Sequence, residues 1–304
     1  MSPSSGCRAC RWCWASAGGN EGGRSPLTKE RPLFRGIPLE YYFKMKDLDP
    51  QAPVGPSSGR TTASFVLRCG NFFFRYRDAL SPAVVLTLLI LTRPLRPFGS
   101  DAADRVLDGV GLFLGCAGEA LRIAVIGYAY IVRGGRARRV YAEDLVTAGF
   151  FAVSRNPLYL GNLLVYAGLA VIWNNPWMYV VAGSFFLFLY HSIVAAEEDF
   201  LHAKFGATYE QYCRDVARWI PNLGRLSAAL EGMSFSWRRV VIREYGTIAA
   251  WGLTASMLLI VETLRFRSYA GHEREICGLV GLMVLVIFLW AVARRLKLSR
   301  RLTA

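Results

Sequence analysis

Two short stretches bring together side chains suited to charge-bearing chemistry at a membrane surface. The first is LVTAGFFAVSRNPLYLG, residues 145–161, where Arg155, Asn156, Pro157 and Tyr159 crowd one turn. Asn is favoured at a helix N-cap and Pro at the first helical position, so helix initiation accounts for Asn156 and Pro157. It does not account for Arg155, Tyr159 and Gly161 at the same mouth, or for Asn162 just beyond. The second stretch is EEDFLHAKFG, residues 197–206, three consecutive carboxylates after an apolar run. If a helix ends at them, its dipole disfavours each by about 0.3–1 kcal/mol. If the helix runs on to Gly206, a natural C′ glycine, they lie near its middle at the membrane surface. Either way at least one carboxylate needs a cation: Lys204, Arg214, Arg218 or a bound cationic ligand. Thr208-Tyr209-Glu210-Gln211 reads as a capping box opening a short helix that carries Tyr209, Tyr212 and Arg214. Arg218-Trp219-Ile220-Pro221 closes it. An interfacial helix held by aromatic and basic anchors fits the same residues.

Glu119 and Arg122 form a third candidate, an i,i+3 pair inside an apolar run. Ionisable groups within a span mark functional sites or neutralise each other. Gly109-x-Gly111-x-x-x-Gly115 has the wrong spacing for a nucleotide loop and suits close helix packing. Cys7-x-x-Cys10-x-x-Cys13 has metal-like steps but no fourth ligand nearby, and no metal site is expected.

The elements that position these residues are apolar helices. The 304-residue chain is 53% hydrophobic and only 19% charged, with mean hydropathy +0.28 and net charge +14. A soluble domain carries about 25% charge. The deficit and the long apolar runs exclude an ordinary soluble protein and a disordered one. Lys and Arg lie mostly between the runs, which fits basic loops of a membrane protein and not a nucleic-acid partner. The expected class is an all-α polytopic membrane bundle of about six spans: 79–93 (extending back through Phe72–Phe74), 106–132, 157–174, 176–196, 244–262 and 276–293. Asn174-Asn175-Pro176 makes the third and fourth a tight hairpin. Residues 133–157 hold five Lys/Arg and 197–243 hold seven, against none between the third and fourth spans. That bias places both termini and both long loops in the cytoplasm. The hairpin's two ends then emerge side by side on that face. The expected organisation is a Gly/Ser/Pro-rich disordered tail (1–60), two spans (61–140), a motif-bearing core (141–225), and two spans with a basic tail (226–304).

Residues 143–221 resemble the isoprenylcysteine carboxyl methyltransferase family and the related phospholipid methyltransferases. The likeness rests on LVTAGFFAVSRNPLYLGN, the hairpin, EEDFLHAKFG and TYEQYCRDVARWIP. It implies an integral membrane enzyme that uses S-adenosylmethionine without a Rossmann domain. Carried over by position, the cofactor contacts fall on Glu143, Asp144, Leu145, Val146, Phe151, Asn156, Pro157, Leu158, Tyr159 and Glu197. The chain departs from the pattern in three places. Asn156 stands for a usual His and Phe151 for a common Tyr. Ile193 stands where the prenylcysteine enzymes have a cation for the substrate carboxylate; Arg122, Arg155 and Arg218 are the candidate substitutes.

The mechanism this implies is methyl transfer to a lipophilic acceptor entering from the bilayer, most like the carboxyl enzyme. The enzyme contributes positioning and desolvation. Glu197 balances the cofactor's charge, Arg155 braces the pocket, and Tyr159 and Phe151 line it. An amine acceptor also needs a base, and Glu119 is the candidate. The alternatives are a phospholipid or small-lipid N-methyltransferase and, in another class, a membrane scaffold or transporter. The enzymatic reading requires Tyr159 and Glu197 to meet at one small molecule.

Overall fold

The computed structural model describes residues 60–128, 140, 142, 144–267 and 269–299. Glu143, the tail 1–59 and its three cysteines lie outside these. Among the described residues the secondary structure is entirely helical. Helix α1 is Arg60–Leu91, α2 is Asp101–Tyr128 and α3 is Pro157–Trp173. Helix α4 is Gly183–Phe205, preceded by a π-helical turn Met178–Ala182 that makes one continuous rod from 178 to 205. Two short helices follow, α5 (Ala207–Asp215) and α6 (Leu226–Leu230), then α7 (Trp237–Phe266) and α8 (Glu273–Leu298).

Over their described residues all six expected segments are mainly helical, but they differ as spans. Four are long and apolar enough to cross a membrane: α2, the 178–205 rod, α7 and α8. Helix α3 has 17 residues, which at ~1.5 Å per residue falls short of a ~30 Å hydrocarbon core. Helix α1 starts far upstream of the expected 79–93 and carries Arg68, Arg75, Arg77 and Asp78 in its first two-thirds. The apolar signal marked only its last part. Four apolar spans and a bundle of antiparallel helices describe an integral membrane protein.

Helix α2 is the centre of the bundle. Helix α3 runs antiparallel beside it, on a face where small residues meet. A Cβ on Gly118 would stand 2.6 Å from the Gly161 carbonyl oxygen, and one on Gly168 would stand 2.5 Å from that of Gly111. Close approach of this kind is what small residues permit between membrane helices. Gly111 and Gly115 are therefore packing residues as expected; Gly109 faces open space and is not. Helix α7 flanks α2 on another side, joined at one end by the bond from the Ser236 amide to the Gly127 carbonyl (2.9 Å).

The turn of the hairpin is tight, with Asn174 left-handed at φ +41°. Its side chain donates to the Leu95 carbonyl at 2.8 Å, and that of Asn175 to Arg93 at 2.8 Å. Beyond the turn the arms diverge. Helix α3 packs chiefly on α2, and α4 chiefly on α1. The glycine face of α3 is spent on α2, so side chains fill the gap to α4: Tyr166 stacks on Phe186 with centroids 3.7 Å apart. That divergence opens the space described next.

Candidate active site

The loop before α3 reaches it through a 3-10 turn, Gly149–Ala152. Gly149 has φ +63°, and a Cβ there would press on the Met233 sulfur at 3.1 Å, so the turn depends on glycine. Residues 153–156 then clasp the segment after α5. Arg155 donates its amide to Ala217 at 2.9 Å, and Asn222 donates to Val153 at 3.0 Å. The Ser154 hydroxyl reaches the Trp219 carbonyl at 3.3 Å. Asn156 occupies the N-cap position, but its side chain does not cap α3. It donates to the Arg218 carbonyl at 3.0 Å instead. The demands of the clasp outweigh the local cap.

Helix α5 supports this clasp from behind. It begins at Ala207, so Thr208 is not its N-cap and the expected capping box does not form; Gly206, at φ +49°, ends α4 and leads into α5. The Tyr212 hydroxyl donates to the Phe151 carbonyl at 2.7 Å. Burial pushes the phenols of Tyr209 and Tyr212 above their ordinary value, so both stay neutral.

The three carboxylates lie within a continuous α4, and neighbours on the helix diverge in role. Glu198 turns outward to two arginines. Arg155 lies 3.2 Å away and Arg218 forms a two-pronged pair, its Nε at 3.0 Å. Glu197 turns inward, where the Tyr159 hydroxyl donates to its Oε1 at 2.6 Å. Arg77 of α1 donates to the same hydroxyl at 3.0 Å and stacks over Phe74 at 4.5 Å. Three helices thus converge on one phenol. Of the expected cations, Arg218 pairs in this patch; Lys204 bonds the Ala142 carbonyl and Arg214 bonds Gln211.

Arg77, Tyr159 and Glu197 line one cavity of about 1090 Å³. Ligand sites hold about 300–1,000 Å³, so there is space for two ligands together. Asp144, Leu145, Val146, Phe151, Asn156 and Pro157 line it, as do Leu158, Tyr159 and Glu197. Those are all the described members of the expected cofactor set. Arg122 and Arg155 also reach the wall. Glu119 and Arg218, offered above as catalytic, are not among the lining residues. Glu119 stands behind Arg122 at 3.8 Å, and Arg218 is held outside by Glu198.

Residues 114–208 match the family model of phospholipid methyltransferase. The match supports a membrane methyltransferase acting on lipids. It covers about a third of the chain, from mid-α2 through the hairpin to the start of α5. It holds Tyr159 and Glu197 but leaves α1, α7 and α8 outside. No curated protein and no solved structure matches the chain.

Several residues in or just behind the wall were not singled out in the sequence. Arg77 sits in a charged part of α1 outside the core of the expected span. Glu244 lies behind the wall, at the first residue of the expected fifth span. Its Oε2 accepts from Arg122 at 2.5 Å, and Arg122 also bonds Asn162 and, at 3.2 Å, the Thr247 hydroxyl. Arg122 is 1% exposed and Glu244 0%. The i,i+3 spacing to Glu119 gave Arg122 a local partner, whereas its strong partner is more than a hundred residues away. Trp251 of α7 also lines the cavity and packs on Gly115, where a Cβ would meet its indole at 2.3 Å.

Proposed function

We propose that this cavity binds S-adenosylmethionine beside a lipid amine and transfers the methyl group to its nitrogen. The observation that carries the reading is the Arg77–Tyr159–Glu197 junction in the wall of a cavity large enough for both ligands. The donor set fits the cofactor. Glu197 and Asp144 suit its ammonium, Asn156 its carboxylate, and the rings of Phe151 and Tyr159 its sulfonium. When bound, the cofactor supplies an activated methyl on a good leaving group.

The chain's own residues do the rest. The 153–156 clasp fixes the cofactor's polar end. Tyr159 holds the Glu197 carboxylate in one orientation. The apolar limb, including Leu86, Leu89 and Trp251, takes the acceptor's hydrocarbon and excludes water. An amine reaches the cavity as an ammonium and must shed a proton before its lone pair attacks. Asp78, exposed at the rim 3.8 Å from Arg77, is the carboxylate placed to accept it.

The amine reading is favoured over a prenylcysteine carboxylate by the arginines. A carboxylate in a greasy pocket needs a cation. Ile193, at the position of the family's cation, is fully buried. Arg155 and Arg218 are spent on Glu198, and Arg122 on Glu244. We infer from the loop charges that the mouth and both termini face the cytoplasm.

Purified protein given radiolabelled cofactor and a total lipid extract tests the reading. The expected product is a lipid whose label survives mild base. Release of the label by base would mean a methyl ester and restore the carboxyl reading. No labelled lipid of either kind would sink both.

A further inference from the structure

At the end of the bundle away from the cavity mouth, one cluster brings together four acids, Asp101, Asp104, Asp108 and Glu262, and two arginines, Arg96 and Arg267. The first two turns of α2 carry Asp101, Asp104 and Asp108. Arg96 pairs with Asp101 at 2.9 Å, and Arg267, just past α7, pairs with Asp104 at 2.8 Å. Asp108 gets only the distant side of Arg267, at 3.8 Å, and its Oδ1 has no donor. Into this group α7 inserts Glu262, which is 1% exposed, receives no N–H donor at either oxygen, and faces the Asp108 carboxyl within hydrogen-bond reach. Oxygens of Asp104, Asp108 and Glu262 all lie within 4.8 Å of one another.

Burying an uncompensated carboxylate is costly, and here two stand together. Two missing positive charges equal one divalent cation. Calcium binds oxygen at about 2.3–2.6 Å, so two oxygens on opposite sides of one ion stand about 4.6–5.2 Å apart. The observed spread, at most 4.8 Å, sets the three carboxylates around a common centre within a few tenths of an ångström of that bond length. An all-oxygen donor set selects a hard ion over zinc or copper.

We propose that Asp104, Asp108 and Glu262 form a calcium site that ties the start of α2 to the end of α7. Arg267 stays on the outer oxygen of Asp104, and water completes the coordination. The competing occupant is a proton shared between Asp108 and Glu262. The site is independent of the methyl-transfer reading, because its readouts are ion binding and stability.

The test uses the full chain in detergent, stripped with chelator, then titrated with radioactive calcium and melted with and without it. One saturable site and a higher unfolding midpoint in calcium are expected. Glu262→Gln and Asp108→Asn should each weaken binding at least about tenfold, since affinity follows ligand charge. Glu231→Gln, an exposed acid elsewhere, should leave binding unchanged. Absence of saturable binding at millimolar calcium, or binding that survives both ligand variants, overturns the proposal. So does Glu262→Gln stabilising the chelated protein while calcium leaves the parent's midpoint unmoved, which is the shared-proton outcome. If neither variant accumulates, the parent protein still decides: no calcium-dependent shift in its midpoint overturns the site.

Discussion

The two ends of α2 bury charge under opposite terms. Toward the cavity, Arg122 is a central cation that gathers Glu244, Asn162 and Thr247 by hydrogen bonds and stands 3.8 Å from Glu119. Toward the other end, Arg96 and Arg267 answer Asp101 and Asp104, while Asp108 and Glu262 face each other and have no N–H donor for three of their oxygens. A buried network built round a central cation fixes geometry; a cluster of carboxyl groups with its cations only at the edge waits for a ligand. The difference therefore separates a brace from a binding site within one helix.

The largest effect is expected at the brace. Arg122→Leu strands the wholly buried Glu244 and should cost about 3–5 kcal/mol of stability. Thermal unfolding in detergent reads this. The paired variant Arg122→Leu with Glu244→Leu should be less destabilised than Arg122→Leu alone. If the pair is as bad as the single change, the network is not a charge balance and the contrast fails.

Next is the inward carboxylate. Glu197→Gln removes a charge but keeps the acceptor for Tyr159, so the fold should persist. Loss of a charge-assisted contact is worth about 1.5–3 kcal/mol, or roughly 10- to 150-fold in cofactor affinity. Calorimetric titration measures it. Unchanged affinity would move Glu197 from the site to the brace.

What the sequence made legible follows the range of the interactions. The all-helical membrane bundle was readable because each span is a local run of apolar residues. The cavity wall from 144 to 159 and Glu197 were readable because they lie on short motifs flanking one hairpin. Arg77 was not, because its helix begins in a charged stretch that apolarity does not mark. Glu244 and Glu262 were hidden for another reason. Each is a single acid in an apolar run, and its meaning comes from a helix more than 120 residues earlier. The Asn156 cap and the Thr208 capping box were misread because local propensity favoured caps, while tertiary bonds to 217–222 and the left-handed Gly206 decided the geometry.

The smallest effect tests how firmly the clasp is made. Asn156→Ala deletes one neutral bond, to the Arg218 carbonyl, worth about 0.5–1.5 kcal/mol. Because that side chain caps nothing, α3 should keep its start at Pro157. The backbone bonds of Arg155 to Ala217 and Asn222 to Val153 remain, so the loop should stay closed. Cofactor affinity should fall by about two- to tenfold, with little change in unfolding midpoint. Asn156→Asp separates the possible causes. It keeps the size but turns the donor into an acceptor facing a carbonyl, and should weaken binding more than Ala does. Equal affinity for all three proteins would make the clasp a matter of backbone alone, and would bring the cavity mouth closer in kind to the rigid brace than to an adaptable site.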